Sequence, residues 1–283
     1  MLRQMRANLR RRIQRPHLEP LDAVTVVSSE IGEIMTSPHD AVMGPFIRAT
    51  GVWEPLEGNW LREHVHKGAV CANVGANIGY FARLMADLSG AGGVVHAFEP
   101  NPQVLEYLKI NTKTHRGRAP IKLHPVAVGS TNGELPFYLN ERNLGDSRCF
   151  DPRLTTGGGD YCTHGFDLEP KMISVPIFKL DDVLSTVPLD VLLIDTQGFD
   201  HQVIRGAREL IRQHPPRILT EFVPKWIEDQ GESPTGVLEE YEAMGYILSS
   251  PDFPDLTRPT ATDLVDAISH GETWFANISL IPE

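Results

Sequence analysis

The 283-residue chain is 41% hydrophobic and 22% charged, which is enough apolar content for one substantial core and too much for a disordered protein. Its formal charge of −11 opposes a polyanion such as nucleic acid, whose binding rests on phosphate neutralisation, and favours a small or neutral partner. No apolar run approaches the roughly 18 residues of a membrane-spanning helix, so a soluble protein is expected.

The first 18 residues break the acidic pattern, with Arg3, Arg6, Arg10, Arg11, Arg12 and Arg15 and no acidic side chain. This arm reads as a solvated terminal helix or a contact for an acidic surface. No apolar stretch follows it, so a signal peptide is not expected. Cys71, Cys149 and Cys162 are odd in number and lack metal-type spacing, which points to the reducing cytoplasm and away from disulfides or structural zinc.

Residues 1–67 form an N-terminal extension, read as helical cover from the Trp53-Glu54-Pro55 region and residues 60–66. Residues 68–283 then alternate short β-type runs with helical ones, as a parallel sheet covered on both faces requires. A first strand is expected at 69–74, and a helix at 78–88 carries Phe81, Leu84, Met85 and Leu88 at helical spacing. A second strand at 94–98 ends in Glu99-Pro100-Asn101-Pro102, and a second helix contains Val104, Leu105, Leu108 and Ile110. A third strand is expected at 121–128 and a short extended segment at 133–139. Periodicity fails across about 140–172, an insertion rich in glycine that is either an acceptor-facing lid or a surface loop. A fourth strand at 191–194, a helix at 201–213, a fifth strand at 217–222, a helix at 238–244 and closing strands at 246–248 and 274–281 complete the pattern. The fold class expected is α/β, a doubly wound Rossmann-like sheet with an N-terminal helical extension.

In such a sheet the ligand lies beyond the carboxyl ends of the strands. After strand one comes Asn73-Val74-Gly75-Ala76-Asn77-Ile78-Gly79-Tyr80, where glycine permits close backbone approach. The order G-x-N-x-G lacks the phosphate-cradling G-x-G-x-x-G, which disfavours a dinucleotide. Glu99, ending strand two, can accept both hydroxyls of a ribose. A ribose carboxylate without a phosphate loop points to S-adenosylmethionine. Ala127, ending strand three in Val126-Ala127-Val128-Gly129, offers a small flank for an adenine ring, and Glu54 joins the cofactor-binding candidates from the N-terminal cover.

With Val74 to Phe81, Phe98-Glu99-Pro100-Asn101-Pro102, Ala127-Val128-Gly129, Leu180-Asp181-Asp182 and Ile194-Asp195-Thr196-Gln197-Gly198-Phe199-Asp200, the chain resembles the FkbM-type methyltransferases over about residues 53–282. The resemblance implies a class I methyltransferase sheet and O-methylation of small molecules such as natural products or sugars. It places S-adenosylmethionine across Gly75 to Gly79, with the ribose on Glu99. Three positions depart from the family: Asn73 stands where Asp is usual, Leu193 where Lys is common, and Gln197 where Glu is frequent.

Removing a hydroxyl proton asks for a base near the ends of strands four and five, and Asp195, His201 and Glu221 are the candidates. Asp195 is also placed beside the cofactor. No metal is expected, since His- or Cys-rich spacing is missing and Asp181-Asp182 reads as a helix N-terminus. The partner expected is a small-molecule acceptor, with homo-oligomerisation open. The rival readings are a nucleic-acid or protein methyltransferase, a non-enzymatic cofactor-binding module and, least supported, an NAD-dependent oxidoreductase.

Overall fold

The computed structural model describes residues 24–113, 118–140, 143–155, 171–271 and 273–283. The arginine-rich arm, Cys162 and much of the 140–172 insertion therefore lie outside the described residues.

The N-terminal cover does contain helices, α1 (Met43–Thr50) and α2 (Pro55–His64), but a hairpin precedes them, formed by β1 (Thr25–Ser29) and β2 (Gly32–Thr36). The alternating pattern then follows as β3 (Val70–Val74), α3 (Tyr80–Ser89), β4 (Val94–Phe98), α4 (Pro102–Lys113) and β5 (Ile121–His124). Next come β6 (Ala127–Val128), β7 (Gly133–Tyr138) and β8 (Met172–Phe178), then α5 (Leu180–Val183) and β9 (Val191–Ile194). The remainder comprises α6 (Asp200–Arg205), α7 (Arg208–Gln213), β10 (Arg217–Phe222), α8 (Pro224–Asp229), α9 (Pro234–Ala243), β11 (Tyr246–Ser249), α10 (Ala261–Ser269) and β12 (Ala276–Pro282).

Seven strands form the main sheet in the order β11-β12-β10-β9-β3-β4-β5. From β10 to β5 every neighbouring pair is parallel, whereas β12 runs antiparallel to both of its neighbours. The chain leaves β3 towards β4 and β5, then returns to build β9 and β10 on the other side. That reversal opens a crevice at the carboxyl ends of β3 and β9. Alternation along the strands feeds two apolar layers. Val74, Phe98, Leu192, Ile194 and Ile218 enter one, while Cys71, Val95, Ala97, Leu193 and Leu219 enter the other with Val27, Ile34, Ile47 and Leu61 of the N-terminal cover. Both sides of a strand such as β9 are thus buried, which explains its unbroken apolar sequence.

Several elements differ from the expectation. The run 121–128 is two strands, because Pro125 interrupts it: β5 stays in the main sheet, and β6 joins a three-stranded sheet of order β6-β8-β7. Strand β8, which directly follows the insertion, was not anticipated, and only its second half alternates clearly between buried and half-buried positions. The closing strand β12 does lie antiparallel at the far side of the sheet, between β10 and the edge strand β11. Helices α8 and α10 were not anticipated, although α10 carries a readable start signal in the Thr260–Asp263 capping box.

The single helix expected at 201–213 is broken at Gly206, where a Cβ would stand 2.0 Å from the carbonyl oxygen of Gly129. Gly206→Ala must therefore push the two backbones apart, at a cost of about 1–3 kcal/mol. A urea-unfolding midpoint equal to the wild type would contradict this contact.

Candidate functional site

The crevice is an open cleft of about 550 Å³, solvent-facing space included. Its floor is the turn after β3. Gly75 takes φ +81 and sits so close to β9 that a Cβ would lie 1.8 Å from the Asp195 carbonyl oxygen. The Gly75 and Ala76 amides donate to Phe98 O at 3.0 and 2.8 Å, tying the turn to the end of β4. Asn77, also at positive φ (+48), lines the cleft and holds the next amide through Oδ1, 2.8 Å from Ile78 N.

Glu99 meets this turn from β4. Its Oε2 accepts the Asn77 amide at 2.9 Å and its Oε1 accepts the Asn101 amide at 2.7 Å. Two backbone donors fix the plane of the carboxylate, and each oxygen keeps a lone pair for a further donor. Burial pushes Glu99 up to about 7, the two amides acting in the opposite direction.

Val126, Ala127, Val128 and Phe137 form an apolar wall from the small sheet. The described part of the insertion supplies the facing wall through Leu144, Gly145, Ser147 and Cys149. Beneath it the buried Arg148 grips Asp146 Oδ1 through Nε at 3.0 Å and Nη2 at 2.6 Å, and stacks over Trp226 at 4.1 Å.

The end of β9 adds Asp195, Thr196 and Gln197 to the cleft. Asp195 is pushed above its ordinary value, chiefly by burial, against hydrogen bonds from Gln197. Glu221 faces it from β10, and Gln197 Nε2 reaches both, 2.7 Å from Asp195 Oδ1 and 3.4 Å from Glu221 Oε2. Glu54, at the N-terminus of α2 with φ +39, completes the group, its carboxyl held high by burial and by Asp195. Among the described residues only Glu54, Asn77, Gln197 and Arg258 combine a non-glycine side chain with positive φ, and the first three belong to this region. Such strained conformations persist where the surrounding structure over-determines them.

Not every candidate is brought into the cleft. Gly79 opens α3 at φ +95, but a Cβ there would strike Leu108 Cδ1 at 2.6 Å, so its place is at the packing of α3 on α4. Tyr80 is buried and donates its hydroxyl to Glu30 Oε1 at 3.1 Å, within the N-terminal cover. His201 is buried outside the cleft, with Nε2 3.3 Å from Glu232 Oε1 but without hydrogen-bond alignment. Asn73 is buried at the end of β3 on the same side of the strand as Cys71, and its Oδ1 has no hydrogen-bond partner among the described residues. Gln197 was missed as a site residue; its place between two strand-end carboxylates is a tertiary fact that spacing does not encode.

A doubly wound sheet with an antiparallel strand set inside its far end, and a cleft carrying a strand-end carboxylate at the switch point, is the Rossmann-like architecture of class I methyltransferases. The Methyltransferase FkbM domain matches residues 73–248, well over half of the chain, and the chain belongs to that family. Its cofactor is S-adenosylmethionine. No curated protein matches the sequence. Among solved structures, the methyltransferase FkbM from Methylobacillus flagellatus is 13% identical with a TM-score of 0.45, covering 79% of this chain and 50% of its own, so the chain spans half of that protein's length. An S-adenosylmethionine-dependent O-methyltransferase from Thermotoga maritima is 12% identical with a TM-score of 0.43 and coverages of 92% and 78%. The fibrillarin of Aeropyrum pernix, with natively bound S-adenosyl-L-methionine, is 13% identical with a TM-score of 0.40 and coverages of 94% and 85%.

The burial of Glu99 has a pH signature. Its folded value of about 7 lies above its ordinary 4.5, so its stabilising contribution is fully present below 4.5 and is lost as pH rises through 7. His96, lowered to about 4 by burial, works in the opposite direction, losing stability as pH falls from its ordinary 6.5. In the ligand-free protein, Glu99→Gln should therefore flatten the decline of Tm between about pH 5 and pH 8. Parallel Tm curves for the two proteins would show that Glu99 does not hold its proton more tightly when folded.

Proposed function

We propose that the protein transfers a methyl group from S-adenosylmethionine to a hydroxyl of a small-molecule acceptor, with Asp195 receiving the hydroxyl proton. The observation that carries the reading is the meeting, at one switch point, of the Gly75 turn, the Glu99 carboxylate already oriented by two amides, and Asp195 from the adjacent strand.

These residues suit the cofactor on their own chemistry. The free lone pairs of Glu99 match a pair of ribose hydroxyls, and the Val126 to Val128 wall with Phe98 offers apolar flanks for a base. When bound, S-adenosylmethionine supplies a methyl group already activated by a sulfonium. The protein's own task is then alignment, for which proximity and orientation contribute about 7–11 kcal/mol. Asp195 faces the cleft, and an ionised carboxylate there accepts the proton that the hydroxyl releases.

The clustering of Glu54, Asp146, Asp195 and Glu221 supports a small acceptor over nucleic acid, since phosphates would be repelled from this face. Glu221 lies behind Gln197 and His201 lies outside the cleft, which leaves Asp195 as the base.

Calorimetry with S-adenosylhomocysteine tests the cofactor side: binding is expected, with none for NAD, and Glu99→Ala should weaken it by about 1.5–3 kcal/mol. An unchanged dissociation constant in the folded variant would remove Glu99 as the ribose ligand. On the acceptor side, Asp195→Asn should lower S-adenosylhomocysteine formation, measured across a panel of hydroxylated small molecules, by about 10²-fold with little change in cofactor affinity. Near wild-type turnover in that variant would rule out Asp195 as the base.

A further inference from the structure

The turn between β9 and α6 is held more firmly than a connection needs to be. Gly198 takes φ +88, and a Cβ there would lie 2.6 Å from Trp226 and 3.0 Å from Phe150, so two aromatic rings pin it from one side. Its carbonyl accepts Gln230 Nε2 at 3.0 Å. Thr196 is fixed through its amide and hydroxyl to Asp200 Oδ2, at 3.3 and 2.8 Å. Between these two anchors Gln197 is forced to φ +54, a conformation that costs a non-glycine residue free energy.

The strained backbone delivers one side-chain amide to the gap between two carboxylates. Gln197 Nε2 stands 2.7 Å from Asp195 Oδ1 and 3.4 Å from Glu221 Oε2. The NH₂ end of the amide is the end set towards both, and against ionised carboxylates its carbonyl end would set lone pairs against lone pairs. We propose that Gln197 is the positioning residue for Asp195: its amide, locked by this left-handed turn, holds the carboxylate towards the cleft and separates it from Glu221 by donating to both.

The proposal rests on the reading of Asp195 as the proton acceptor and says what keeps it usable. Asp195 lies in an acidic environment: Glu54 and Glu57 of α2, Glu99 after β4, Asp146 of the insertion, Asp200 of α6 and Glu221 of β10 all face it. The buried Arg148 is committed to Asp146. Against burial and these charges, the hydrogen bonds from Gln197 favour the ionised form of Asp195. A glutamate at position 197 would add a further negative charge, whereas glutamine supplies a neutral donor.

The test is a ¹³C-carboxyl NMR titration of the ligand-free protein, with the Asp195 signal assigned by its loss in Asp195→Asn. In Gln197→Leu the midpoint of Asp195 should rise by about one pH unit, the tenfold change expected from losing one charge-assisted hydrogen bond. Gln197→Met keeps the length of the native side chain without its donor or any added charge, and it should raise the midpoint as well, so the test survives if the leucine variant does not fold. A residue that merely fills space would leave the midpoint where it is, and an unmoved Asp195 signal in a folded variant overturns the proposal. Neither acceptor nor cofactor is present, so the titration fails or succeeds independently of whether Asp195→Asn slows methyl transfer.

Discussion

The contact on which the site turns is the approach of the β3 loop to the end of β9, with no side chain at Gly75 and the Asp195 carbonyl occupying the space a Cβ would need. Because Gly75 and Ala76 also bind the carbonyl of Phe98, one short turn sets the distances between three strand ends. Glu99 and Asp195 thereby face one cleft although nearly a hundred residues separate them in sequence. A larger residue at position 75 would spread β3 and β9 and dissolve that relation before it affected any single contact.

The second organising feature is electrostatic. Burial raises Glu54, Glu99, Asp195 and Glu221 above their ordinary values, and Coulombic repulsion adds to the shift at several of them. Buried carboxylates of this kind are costly in the absence of a counter-charge. A ligand carrying positive charge relieves that cost and a polyanion increases it, which connects the acidity of the whole chain to the chemistry proposed for the cleft. The strain at Glu54, Asn77 and Gln197 belongs to the same economy, since each residue delivers a side chain or amide that an unstrained turn would aim elsewhere.

What was legible in the sequence was the periodic part. Strands β3, β4, β9 and β10 were bounded to within a residue because both of their faces are buried and their apolar runs end at strand-terminating signals. Glu99 was legible for the same reason, as the first polar residue after β4. Elements outside the main sheet were harder to read: β6 and β8 form a small sheet whose partners are some 50 residues apart, and the Pro125 break is invisible to a hydrophobicity pattern. At the site, Gly79, Tyr80 and His201 were drawn in by neighbourhood in sequence, but helix geometry turns them into packing against Leu108, Glu30 and Glu232. Gln197 was legible only as a departure from the family, because its role depends on a carboxylate from β10.

The most direct measurement is a crystal structure of the complex with S-adenosylhomocysteine. The account predicts the ribose hydroxyls on the Glu99 carboxylate and the adenine beside the Val126 to Val128 wall, with Asp195 open to the acceptor side. A ligand bound away from the β3–β9 switch point, or one that leaves Glu99 in contact only with the Asn77 and Asn101 amides, would contradict it.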